Sequence, residues 1–207
     1  MFPNENFNSY PSGKSIVNYD DIENAKSKII ELSGKLEDIH IFLRGGFIVP
    51  YQNVFDNYIL NSHRLRDEKI NLIVNLDHNN NSRGEIFYDN DDIDPIKNNT
   101  YNRVEMYFND KKVVFNTYKN NLNKYEYNDH ILGKIEFWRI SNIIKINDVK
   151  GDKTPIINLN ITYNDNKKKE DIVEGIYEKE NDKAIFEISQ GDKTVSIFDI
   201  NEMVLLN

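Results

Sequence analysis

The densest run of groups able to do chemistry is Asp89, Asp91, Asp92 and Asp94. Clustered carboxylates suit a hard cation such as calcium, which takes several oxygen ligands. As an EF-hand loop the run fails, because Asp94 stands at the sixth position, which needs Gly, and Thr100 stands where the bidentate Glu belongs. It reads instead as a solvated hairpin end. Neighbouring exposed carboxylates also lack the contrasting environments that separate a catalytic acid from a base. His40, His63, His78 and His130 are scattered, with no pair at metal-ligand spacing. No Ser has a nucleophile-elbow context, and the chain has no Cys, which excludes disulfides, thiolate metal sites and Cys nucleophiles. The residues predict no catalytic group, no metal and no cofactor within this chain.

What remains is binding chemistry. Trp138, with Tyr101, Tyr118, Tyr125 and Tyr127, is a candidate platform on which a sugar ring could stack. The other reading of Trp138 follows from its neighbour Phe137, which would place it in a packed core strand. Arg44 could fork onto a carboxylate of another module, or lie on the surface beside a strand end. Asn80-Asn81-Ser82, Asn98-Asn99-Thr100 and Asn160-Ile161-Thr162 match the glycosylation sequon, as chance allows in so Asn-rich a chain. Lys167-Lys168-Lys169 sits among acidic neighbours and reads as a solvated turn.

The elements that must position these residues are strands. Of the 207 residues 39% are hydrophobic and 29% charged, a polar chain whose twelve Tyr and eleven Phe offset its low aliphatic content. The length allows one large β domain or two small ones. A net charge of −8 disfavours a nucleic-acid partner. No apolar run approaches the length of a membrane span, and the first residues carry no secretory h-region.

Strands are expected at 39–43, 70–76, 85–88, 103–108, 112–116, 134–138, 156–163, 171–177, 184–188 and 194–198. Asn109-Asp110 and Gln190-Gly191-Asp192 read as tight hairpins, and 79–84 as a longer hairpin loop. Val104, Met106 and Phe108 alternate with Arg103, Glu105 and Tyr107, one face dry and one wet. Gly45-Gly46 reads as a sharp turn before Phe47-Ile48-Val49, with Pro50 ending strand pairing there. Residues 20–36 carry helical spacing at Ile22, Ala25, Ile29, Leu32 and Leu36. The expected fold is all-β, antiparallel strands stacked as sandwich modules.

Four stretches carry a family resemblance in matching order and spacing. They are Phe2-Pro3 through Tyr10 to Gly13; Leu36-Glu37-Asp38-Ile39 with Arg44-Gly45-Gly46 and Ile48-Val49-Pro50; Asn61-Ser62-His63-Arg64 running into Leu72-Ile73-Val74-Asn75-Leu76-Asp77; and Gly84-Glu85-Ile86-Phe87-Tyr88-Asp89. Together they resemble the region after the catalytic barrel in family 31 glycoside hydrolases, the α-glucosidase family, and most of all its lysosomal and intestinal branch. The resemblance covers residues 2 to about 95. Farther on it rests on Lys134-Ile135-Glu136-Phe137-Trp138. One departure is Asp89-Asn90-Asp91-Asp92, where the family continues Asp-Asp-Gly.

The resemblance implies two C-terminal β-sandwich modules, a partial proximal one at 1–46 and a distal one at 47–207. Arg44, Gly45 and Gly46 would form the structural junction. The family's nucleophile lies in a Trp-x-Asp-Met-Asn-like strand end, and the lone Trp138 is followed by Arg139-Ile140-Ser141 instead. The chain would then lack the catalytic barrel and be inactive alone, with a reading frame that starts inside the parent sequence. The implied partner is that barrel, in cis or in trans. The implied compartment is secretory or endolysosomal. The alternatives are a free-standing glycan-binding sandwich, which predicts an exposed Trp138 or Tyr cluster, and a partner subunit of a separately encoded barrel.

Overall fold

The computed structural model describes residues 43, 45–53, 65, 68–77, 79–89, 94–119, 130–141, 143–144, 155–164 and 170–206. Among them are ten strands: β1 (Phe47–Gln52), β2 (Ile70–Asn75), β3 (Ser82–Asp89), β4 (Tyr101–Asn109), β5 (Lys112–Lys119), β6 (Leu132–Trp138), β7 (Ile156–Tyr163), β8 (Glu170–Glu178), β9 (Lys183–Glu187) and β10 (Ile200–Leu206). One short helix, α1 (Pro95–Asn98), links β3 to β4. Its start follows from sequence: Pro occupies the first turn, and the Asp94 carboxylate accepts from the Lys97 N–H at 3.2 Å.

The all-β expectation holds. The strands form one hydrogen-bonded ring, β1-β2-β6-β9-β8-β7-β10-β5-β4-β3, where the sequence reading expects stacked antiparallel sheets. Two parallel pairings make the difference: β2 runs beside β6, and β1 meets β3 at Phe47 and Arg83. A parallel neighbour needs a long crossover, and here it spans β3, β4 and β5. Local turn signals cannot reveal such a pairing.

Period-two alternation fills the ring. Leu72, Val74, Val104, Met106, Phe108, Ile135, Phe137, Leu159, Phe186 and Met203 are buried in one cluster. Phe137 packs centrally, with ring centroids 5.8 Å from both Phe108 and Phe186. The β4–β5 hairpin turns through Asp110 and Lys111, both at positive φ (47° and 66°), the backbone of a two-residue hairpin loop.

Three local expectations are corrected. Pro50 does not end β1: it pairs with Leu72, and the strand continues to Gln52. Alternate residues of an antiparallel ladder turn their nitrogens away from the partner, so a missing N–H is tolerated there on a strand whose other side carries a single bridge. The strand expected at 194–198 is a bridge at Ser196 followed by a 3-10 turn, Ile197–Asp199, and the strand itself comes later, at Ile200–Leu206. Gln190-Gly191-Asp192 consequently joins no hairpin; β9 pairs with β6 and β8. The expected strand at 39–43 (apart from Leu43), the helical pattern at 20–36 and Lys167-Lys168-Lys169 lie outside the described residues.

Closure is tight where β1 meets β3. A β-carbon at Gly84 would overlap the carbonyl oxygen and Cβ of Ile48. One at Gly191 would meet nothing, although its φ of 57° penalises a side chain. Gly84→Ala is expected to lower stability by about 2–3 kcal/mol through overpacking, and Gly191→Ala by about 1–2 kcal/mol through backbone strain alone. Urea unfolding of both variants checks the order, and equal losses would refute the closure argument.

Candidate functional site

The outward residues of a β-barrel are normally wet, yet one quadrant of this ring is dry on its outer side. On β6, Ile135 and Phe137 point into the core, so Lys134, Glu136 and Trp138 point out. Glu136 is nevertheless 3% exposed, Trp138 8%, and Lys183, opposite Trp138 on β9, 1%. Ile73 on β2 completes the patch, forming with Trp138 a second apolar cluster against which Leu43 and Tyr51 pack.

Glu136 organises this patch. Its Oε1 accepts from the Tyr51 hydroxyl at 3.0 Å and the Lys134 ammonium at 2.8 Å. Its Oε2 accepts from the Trp138 indole N–H at 3.1 Å, with Lys183 Nζ at 3.9 Å. Lys183 also reaches Glu178 Oε2 at 3.2 Å and lies 5.9 Å from the centre of the Trp138 ring. Lys134 stands 5.7 Å from the Tyr51 ring. Burial favours the neutral carboxyl, but hydrogen bonds from Lys134 and Trp138 and the charges of Lys134 and Lys183 outweigh it and hold Glu136 below the usual carboxylate range. Burial and the Glu136 charge push the Tyr51 hydroxyl up to about 12. Burial alone would lower Lys134; its bonds to Glu136 and Tyr51 raise it overall.

The Gly pair lies at the edge of the same quadrant. Gly46, at φ 84°, donates to the Asn75 carbonyl at 2.8 Å and accepts from the Arg83 N–H at 3.1 Å. The Asn75 side chain donates to the Leu43 carbonyl at 3.1 Å. Facing Gly46, Asp77 accepts from the N–H groups of Asn79 and Asn81 and fixes the turn into β3. Gly45 and Gly46 form the turn that feeds β1. Arg44 lies outside the described residues.

The candidate sugar platform is divided by the fold. Trp138 is packed, its N–H taken by Glu136, so its ring offers no open face to a sugar. Tyr101 and Tyr118 are elsewhere, on β4 and β5, and Tyr118 is exposed. Tyr125 and Tyr127 lie outside the described residues, as do His40, His63, His78, Asp91 and Asp92. Asp94 caps α1 rather than joining Asp89 in a ligand set. His130 is buried, stacked on Tyr88 at 3.8 Å. Among the described residues no three His, Asp or Glu side chains converge as a metal site requires. Sequence reasoning missed Glu136, Lys134 and Lys183, because charge at outward strand positions signals water, and Tyr51, because the strand was expected to end at Pro50.

No family model matches the chain. Over 101 residues, 48% of the chain, it is 32% identical to a human protein described as probable maltase-glucoamylase 2, of which it spans 4%. The ring also matches solved glucosidase II structures. One is the endoplasmic-reticulum glucosidase II heterodimer of the catalytic subunit with the binding domain of the regulatory subunit: TM-score 0.63, 18% identity, 88% of this chain and 19% of that one. Another is the α subunit in a Glc1Man2-bound form: TM-score 0.64, 17% identity, and the same two coverages. The chain thus spans about a fifth of the length of these structures. The resemblance to the C-terminal region of family 31 glycoside hydrolases therefore stands on a sequence match, with a shared fold beside it.

Glu136→Gln keeps the shape of the network and removes its charge, leaving two lysines on an uncharged acceptor. A loss of about 3–5 kcal/mol is expected, as for a broken buried pair. Because the folded pKa of Glu136 is depressed, its contribution is present above the usual carboxylate value and is lost as pH falls through the folded one. The gap between wild type and variant should therefore narrow below about pH 4. Thermal melts across pH 3–8 test this, and a gap independent of pH would show that the carboxylate charge contributes nothing.

Proposed function

We propose that this chain is the non-catalytic C-terminal region of a protein similar to family 31 α-glucosidases. Residues 47–207 would be its distal β-sandwich module and 1–46 the end of its proximal one. The observation that carries this reading is coverage: the fold takes in most of this chain and less than a fifth of the glucosidase II structures. Retaining hydrolysis needs two carboxyl groups about 5–5.5 Å apart across a scissile bond. The buried carboxylate described here, Glu136, is committed to four donors and cations instead.

On this reading the dry outer quadrant is a junction. A strand wall with a charged, enclosed outer side suits a module fixed against preceding chain, and Leu43 already packs on it. By the resemblance, Arg44 with Gly45 and Gly46 would mark the crossing point. The parent reaction would be release of terminal α-glucose with retained configuration, by a barrel acting in cis or in trans.

Two measurements test the reading. The purified chain, incubated with maltose and p-nitrophenyl α-glucoside, should release product no faster than buffer; turnover by the chain itself would overturn the non-catalytic assignment. Transcript sequence upstream of the Met1 codon should encode a barrel in frame. A stop codon there, with no barrel gene co-expressed, would overturn the tail assignment.

A further inference from the structure

The outer side of β3, β4 and β5 is the opposite of the dry quadrant: open, aromatic and polar. Alternation turns Ile86, Val104, Met106 and Phe115 inward. It turns Glu85, Phe87, Arg103, Glu105, Tyr107 and Tyr118 outward. Register places Phe87, Arg103 and Tyr118 in one row across the three strands, and Glu85 and Glu105 with Asn116 in the next. Adjacent strands lie about 4.8 Å apart, so each row is about 10 Å wide. Phe87 is 41% exposed, Tyr107 46% and Tyr118 47%.

The polar groups between the rings are already oriented. Arg103 forks onto Glu85, Nε to Oε1 at 2.7 Å and Nη2 to Oε2 at 3.0 Å, and Nη2 also reaches Glu105 Oε1. The hydroxyls of Tyr107 and Tyr118 both donate to Glu105 Oε2 at 3.2 Å. Arg103 lies 5.7 Å from the centre of the Tyr118 ring, and Phe87 stacks on Tyr101 at 4.9 Å. Rings held by stacking and phenols held by a carboxylate lose little freedom when a ligand arrives.

We propose that this face binds a neutral oligosaccharide. Aromatic faces meet the C–H side of a pyranose, while fixed carboxylate and guanidinium groups meet its hydroxyls, the division of labour expected of a site with few, well-placed polar groups. Charge points to a neutral ligand: on this face Arg103 is committed to Glu85 and Glu105, and Lys112 to Glu202, so the face presents no cluster of uncommitted cations for a phosphate backbone or anionic lipid. The β7–β8 wall differs, since it exposes the aliphatic Ile156, Ile172 and Ile176. The assignment rests on the open face alone and is independent of whether the chain is the tail of a glucosidase.

The test is calorimetric titration of the full 207-residue chain with maltoheptaose and, separately, cellohexaose. Saturable binding of at least one is expected. The Phe87→Ala/Tyr118→Ala double variant should bind at least about tenfold more weakly, and Ile172→Ala on the other wall should bind as wild type. Should the double variant misfold by circular dichroism, amide shifts of the unaltered chain decide: they should cluster at residues 85–87, 103–107 and 116–118. Absence of saturable binding to either sugar, or sugar-induced shifts confined to other strands, would overturn the proposal. So would retention of this face's contacts by a captured protein together with no sugar binding.

Discussion

The carbonyl of Ile48 sits where a side chain at position 84 would be, and the ring of strands closes through that gap. A sheet edge is a row of unpaired backbone groups that must be matched or covered. Here β1 covers the edge of β2 along six residue pairs and touches β3 at one. With Gly at position 84 the two strands approach closely enough for the Arg83 N–H to bond the Gly46 carbonyl at 3.1 Å. Gly46 contributes in turn through its left-handed backbone, which sends the chain into β1 at the required angle. Closure fixes which side of each strand is inside, and so fixes both outer faces.

Those two faces show opposite solutions to one problem. Charge buried on the β1-β2-β6-β9 quadrant is tolerated because every partner is supplied: Glu136 receives a phenol, an indole N–H and an ammonium, with a second ammonium nearby. A fully satisfied network of this kind confers specific geometry more than stability, since apolar replacements of similar shape often cost nothing. On β3-β4-β5 the guanidinium and carboxylates also pair, but in water, where the pairing contributes little energy and chiefly sets orientation. Similar residue types therefore lock one wall and leave the other presentable.

Much of the ring was legible from periodicity. The alternation at 103–108 and 184–188 marks β4 and β9, and the hairpin at Asn109-Asp110 falls within one residue of the observed turn. β10 was obscured because Val195, Ile197 and Phe198 make an apolar run as persuasive as Met203 to Leu206, and only tertiary pairing with β5 and β7 selects the second. The parallel β2–β6 contact joins residues about sixty apart and leaves no local signature. The site was less legible still. Trp138 stood out as a ring, but its environment depends on Glu136 and Lys183, whose burial no alternation rule predicts. Of the aromatics on the β3-β4-β5 wall, Tyr101 and Tyr118 were recognised as platform candidates and Tyr107 fell on the wet face by alternation, while Phe87 joins them only once three strands lie in register.

Among the described residues, aromatic side chains pack the middle of the ring. Phe108, Phe137 and Phe186 meet at the middle of the ring, and Tyr88, His130 and Phe198 stack near the end marked by Ile131 and Ser196. Burial raises the Tyr88 hydroxyl to about 12, as expected of a phenol kept from water. A barrel packed this way serves as a rigid frame, and rigid frames position groups on their outer strands with little conformational cost. Of the outer walls described, one is sealed by its own charges and one presents aligned rings and oriented polar groups. The same frame thus carries a closed wall, whose charges are satisfied among themselves, and an open one, whose rings and polar groups are held in register.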